Sequence, residues 1–354
     1  MKSSTWIKVV LIMTFLGLGV CAAATAYIDP FFHYHGPDSS FQYPLNGDDE
    51  RYLNYGIINN FQYDALITGS SMCENFKTTQ FDELWGTNSV KAAFAGGSYK
   101  EIDELIRKAL EVNPQIKYVV RSLDYSSLLN DKDEMMTLNF EHPTYLYDNN
   151  IFNDVYYLLN KDILFTKTYE VVRYTHVGGV TTTFDAYANW CWGEDYGREA
   201  VLDTYDFSHS VAQEQSFTEE QRETVIASIR QNVTETAKAN PDVTFYIFFP
   251  PYSICYWDMM HINGQINMRI DAEKCAIEEM LQCPNIKLYS FCTDYELVCD
   301  LDNYKDQAHF GDWINSEILN CMHEDEYLLT AENYEEYIDS IRAFYNSYDY
   351  ASLH

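Results

Sequence analysis

Positive charge is what this chain has least of: 23 lysines and arginines stand against 54 aspartates and glutamates, a formal net charge of -31. Phosphate backbones are bound by exchanging their counterions for lysine and arginine, so nucleic acid is excluded as a partner class. The same imbalance favours neutral or cationic polymers over polyanions, unless the acidity lies away from the binding site. No C-x-x-C pair occurs among the nine cysteines, and their irregular spacing excludes a zinc cluster. His33 and His35 stand two apart without a carboxylate cluster, too small a ligand set for a catalytic metal. No cofactor is expected. Internal repeats and low-complexity tracts are also missing, and 354 residues of 47% hydrophobic content allow one large domain with a sizeable core.

Charge of either sign is absent from Val9 to Ile28, a run long enough to cross a bilayer core of about 30 Å as a helix. Lys2 and Lys8 precede it and Asp29 follows, which places the N-terminus in the cytoplasm and everything after Pro30 outside. Ala22 to Ala26 offer small-residue cleavage sites, but the run exceeds a signal peptide's usual apolar core. An uncleaved membrane anchor is therefore expected, with secretion the outcome of cleavage. Outside the anchor eight cysteines remain, and disulfides and buried free thiols are both open for them.

What is present is a strand running straight into a Gly-Ser-Ser turn and a helix, in Tyr63 to Phe76. Such an elbow lifts a hydroxyl to the top of a sheet beside helix amides that can bind negative charge. Ser71 is the candidate nucleophile, although Ser70 and Ser71 are equally suited to capping the helix. A serine needs an imidazole, and Asp306-Gln307-Ala308-His309 supplies an acid and a histidine three residues apart. That pair is also suited to capping the helix expected from Asp312 to Met322.

A Gly-x-Ser elbow followed late in the chain by Asp-x-x-His resembles the SGNH or GDSL-type esterases and acyltransferases, over roughly Ala65 to Ile318. The resemblance implies a Ser71, His309 and Asp306 triad, with the serine attacking an ester carbonyl, the histidine carrying the proton and the aspartate orienting the ring. It also implies an oxyanion hole, for which the Ser71 amide and Gly96 or Gly97 are the candidates. The third donor departs from the pattern. Family members place an asparagine after strand three in Gly-x-Asn-Asp, whereas this chain reads Arg121-Ser122-Leu123-Asp124-Tyr125, and an ionised aspartate cannot donate. Asn75, a helical turn beyond Ser71, is the candidate replacement, with Ser98 a second. Ser70 stands where the family commonly has aspartate. With the anchor, these departures are similar to the outward-facing SGNH proteins that work beside membrane-bound O-acyltransferases on cell-envelope polymers. Acylated glycans or other acyl esters are the substrates this implies.

Apolar runs predict strands at 64–68, 89–94, 117–123, 243–249 and 286–291, with helices at 72–84, 99–112, 219–239 and 269–281 between them. Such alternation implies an α/β fold: a doubly wound, flavodoxin-like parallel sheet of about five strands, preceded by one transmembrane helix. Residues 126–217 are too many for a connection and are expected as a partly helical cap whose aromatics Tyr187, Trp190, Trp192 and Tyr196 stack on sugar rings or fill the cap's own core. Asp124 and Tyr252 follow strand ends, where ligands sit in such sheets, and complete the candidate pocket with Trp190 and Trp192. The expected divisions are an anchor at 1–28, a juxtamembrane segment at 29–62, the α/β domain at 63–325 and an acidic, tyrosine-rich helical tail at 326–354. An envelope protein that keeps this fold without turnover, binding glycan or partnering an O-acyltransferase, is the alternative.

Overall fold

The computed structural model describes residues 3–135, 143–148, 150–204 and 210–353. Parts of the expected cap, at 136–142, 149 and 205–209, lie outside the described residues. The chain forms two compact units, one of residues 1–62 with 139–183, the other of 63–138 with 184–354. The insertion expected as a single cap is thus divided between them, and the C-terminal tail belongs to the second.

In the first unit the apolar run forms one helix, Ser3–Ile28, of 26 residues, long and apolar enough to cross a membrane. At its end Asp29 adopts a positive φ of 47°, which a non-glycine residue holds only under restraint. Its carboxylate supplies that restraint, accepting bonds from the amides of His33, Tyr34 and His35 and, at 2.7 Å, from the Tyr157 hydroxyl. A helix at Glu50–Asn60, not anticipated from the sequence, follows.

The second unit is built on a sheet of six strands in the order β2-β1-β3-β4-β5-β6. These are β1 (Ala65–Thr68), β2 (Ser89–Lys91), β3 (Tyr118–Ser122), β4 (Thr244–Phe249), β5 (Ile286–Ser290) and β6 (Leu328–Leu329). The first five are parallel, and β6, absent from the expected set, pairs antiparallel with β5. Two residues are too short a run to carry a period in sequence. All four residues of β1 are buried, as a parallel strand covered on both faces requires. Flanking helices pack in two groups, Thr78–Trp85 with Asp312–His323, and Tyr99–Val112, Glu219–Ala239 and Tyr334–Ser347 with or beside Ile266–Met280. Pro114 ends the helix Tyr99–Val112 by forcing Asn113 into extended backbone, φ -129° and ψ 91°. The helix expected at 219–239 is continuous but contains a π segment, Arg230–Thr234. All nine cysteines are unbridged, six of them buried.

The tail locks onto this core through a buried polar cluster. Glu273, fully buried on Ile266–Met280, accepts bonds from the hydroxyls of Tyr337 at 2.5 Å and Tyr125 at 3.4 Å. Burial pushes the Glu273 carboxyl up to about 8 against these hydrogen bonds. The folded chain then keeps a proton that the unfolded carboxyl, near 4.5, releases, so this group lowers stability as pH rises from about 5 to 8. Glu273→Gln should therefore gain on the wild type across that window, by at most about 1.4 kcal/mol per pH unit. Urea unfolding at pH 5 and pH 8 measures this, and an unchanged difference between the two would contradict the protonated carboxyl.

Candidate active site

The elbow after β1 depends on Gly69. Its φ is +140°, and a Cβ there would lie 2.6 Å from both Cys73 Sγ and Ser122 Oγ. With no side chain to clash, the end of β1 comes against the end of β3, and the Ser70 amide donates to Ser122 Oγ at 3.2 Å. The short helix Ser71–Glu74 follows at once. The two serines divide the roles open to them: Ser70 Oγ caps the helix by accepting from the Met72 amide, while Ser71 Oγ points to another partner. Buried Lys91 on β2 holds the far end of the elbow, donating to the carbonyls of Glu74 and Phe76.

That partner is His309. Ser71 Oγ lies 2.9 Å from His309 Nε2, and His309 Nδ1 lies 2.8 Å from Asp306 Oδ2. With Nδ1–H donated to the carboxylate, Nε2 is left to accept the serine proton. Asp306 serves its loop as well, since Oδ1 accepts the amides of Ala308 and His309, both at 2.8 Å. Burial resists the charge on Asp306, but the bonds from the His309 ring and these amides outweigh it and hold the carboxyl below its ordinary value. Ser253 ties the loop to the end of β4, its amide and hydroxyl both donating to Gln307 O.

A cavity of about 290 Å³ opens over Ser71 and His309, lined also by Gly96, Gly97, Asp124, Tyr252, Tyr256 and Met259. Of the sequence candidates, Ser71, His309, Gly96, Gly97, Asp124 and Tyr252 border it. The Gly97 amide is committed to Phe94 O at 2.8 Å. Asp124 accepts the Tyr252 hydroxyl at 2.6 Å and Ser122 Oγ at 3.3 Å, and burial beside that carboxylate pushes the Tyr252 phenol well up.

Other candidates, among them Trp192, Trp190 and Asn75, lie elsewhere. Trp192 is 82% exposed and does not line the cavity. Trp190 does not line it either, but braces the triad: its indole N–H donates to Ser71 O at 3.1 Å and its ring meets His309 edge-on at 5.2 Å. Lys305 Nζ lies 4.4 Å from the centre of the same ring. Asn75 Oδ1 accepts the Trp190 amide at 3.1 Å, and its buried Nδ2 has no hydrogen-bond partner among the described residues. Tyr256, Met259 and the serines Ser126 and Ser127 line the cavity without having been singled out. The first two lie on the helix Ile254–Ile262, mostly apolar apart from Asp258 and His261, where no motif marks a site in sequence. No family model matches the chain, and no curated protein matches it.

Gly69→Ala should lose on the order of 3 kcal/mol, from strain at positive φ and from overpacking against Cys73 and Ser122. Urea melts read the loss, and a change under about 1 kcal/mol would mean the elbow tolerates a Cβ.

Proposed function

We propose that this protein is a membrane-anchored, extracytoplasmic serine esterase or O-acyltransferase of the SGNH type, acting on acyl esters of cell-envelope glycans. The carrying observation is the relay of Ser71 Oγ, His309 Nε2, His309 Nδ1 and Asp306 Oδ2 at 2.9 and 2.8 Å, open to a cavity. Support for the family comes from the order of its motifs and from parallel strands running β2-β1-β3-β4-β5, the flavodoxin-like order, with Ser71 and Asp124 beyond the carboxyl ends of β1 and β3. Lys2 and Lys8 before the anchor support an outward-facing site.

In the first step Ser71 Oγ bonds to the ester carbonyl carbon while its proton passes to His309 Nε2. The amides of Ser71 and Gly96 stabilise the oxyanion, since that of Gly97 is already bonded. As the tetrahedral species collapses, the carbon–oxygen bond to the leaving alcohol breaks and His309 returns the proton to that oxygen. His309 then takes a proton from water, giving hydrolysis, or from a sugar hydroxyl, giving transfer, as that oxygen bonds to the acyl carbon; the bond from this carbon to Ser71 Oγ breaks and His309 returns the proton to the serine. Asp306 keeps Nδ1 protonated and the ring oriented throughout. The cavity bears the acidic Asp124 and, among the described residues, no lysine or arginine in its lining, which suits neutral or cationic substrates.

One feature favours binding without turnover: Asp124 stands where the family's asparagine would donate, and its neighbour Tyr252 directs its hydroxyl to that carboxylate. A fluorophosphonate probe separates the readings. The full-length chain in detergent should be labelled, Ser71→Ala should not, and His309→Ala and Asp306→Asn should label slower by roughly 10²–10⁴. A folded wild type that stays unlabelled would favour the binding role. Among p-nitrophenyl esters, a neutral acyl group should be cleaved roughly tenfold or more faster than one ending in a carboxylate, and Asp124→Asn should narrow that ratio. Equal rates on the two esters would contradict the electrostatic preference.

A further inference from the structure

The anchor helix is bare along most of its length and covered only near its end. Residues 3–20 are exposed, and from Cys21 onward the helix is partly covered, with Thr25 buried while Ala23 and Tyr27 stay exposed. The elements packed against it, in the same unit, are Val155–Leu158, the π turn Ile163–Lys167 and Thr168–His176. Tyr157 bonds to Asp29 just beyond the helix, which fixes this contact at the helix's outer end.

That placement sets the depth of the covering segment. The uncharged run Val9–Ile28 measures about 30 Å at 1.5 Å per residue, the thickness of the hydrocarbon core itself. If the run fills the core, its last two turns and the elements around them lie within the outer leaflet. Sliding the helix outward to free them would draw Lys8 into hydrocarbon, which resists a charged side chain.

The outward face of the segment matches such a setting. Phe152 is 87% exposed, Phe165 71% and Tyr169 61%, with Val155, Tyr156 and Val172 also exposed. Phe165, Tyr169 and Val172 recur at helical spacing on one stripe, whereas Thr168 and Val171 are buried on another. A helix that meets water on its outer side carries polar residues there. Tyrosines belong at the head-group boundary, and exposed Lys161 and Arg173 can reach head groups while their stems lie on apolar surface.

We propose that residues 151–172 form a second membrane attachment, an in-plane seat whose aromatic stripe lies in the outer leaflet beside the anchor. Lipid, rather than a second copy of the chain, is the occupant because the stripe adjoins a helix whose own bare surface lipid must cover.

The test uses the full-length chain in phosphatidylethanolamine–phosphatidylglycerol vesicles, with the photo-cross-linker p-benzoylphenylalanine placed singly at Phe152, Phe165 or Tyr169. Met13, exposed on the anchor, is the positive control, and Glu220, exposed on the other unit, the negative one. These side chains are exposed, so the replacements leave the packing intact. After illumination, mass spectrometry should find lipid adducts at all three positions roughly tenfold above Glu220 and comparable with Met13. Adducts at the Glu220 level while Met13 is labelled would overturn the proposal. So would chain-to-chain adducts in place of lipid, which would assign the stripe to a second copy.

Discussion

The missing side chain at Gly69 is the constraint on which the site depends. Because nothing projects there, the ends of β1 and β3 close to hydrogen-bond distance through Ser70 and Ser122, and the chain turns at once into a helix that carries Ser71. Everything downstream uses that placement: the loop of Asp306 and His309, pinned at the end of β4 by Ser253, reaches the same point from the other side. The relay joins residues 238 positions apart in sequence, so its geometry is a property of the whole sheet.

Around this point the packing is aromatic and the polar contacts are few and committed. Trp190 performs three tasks at once, donating its indole N–H to the Ser71 carbonyl, donating its own amide to Asn75 Oδ1 and packing on the imidazole. Such a brace limits the freedom of both the serine and the imidazole, holding the line between Ser71 Oγ and His309 Nε2 fixed. The acidic chain leaves its cavity consistent with its composition, since the charge at the cavity edge is again a carboxylate.

Much of this was legible in the sequence where period and punctuation agree. The helix Tyr99–Val112 was read to its ends, because Ser98 caps it and Pro114 stops it. The strands follow from short, strongly apolar runs, with boundaries one to three residues too long; Ala92–Phe94, Leu123, Val243 and Phe291 are as apolar as the strands they flank, whereas the charged Asp64 and Lys117 mark true edges. Residue order nominates Ser71, Asp306 and His309 as candidates, and their proximity is visible only in the folded chain. What stayed hidden had physical reasons. The strand Leu328–Leu329 is too short for a pattern, the helix Ile254–Ile262 is mostly apolar with no periodic polar face, and the division of the 126–217 insertion depends on contacts with the first sixty residues that no local signal encodes. Trp190 and Trp192 are two apart and look alike in sequence, yet one braces the imidazole and the other meets solvent.

Asp306 uses one oxygen for its loop and the other for the imidazole. Scaffold and chemistry therefore share a single ionisation. Acid strong enough to neutralise this carboxyl would slacken the turn and release the ring together, so the relay fails as one cooperative piece rather than by gradual misalignment. Restoring the charge would rebuild both together.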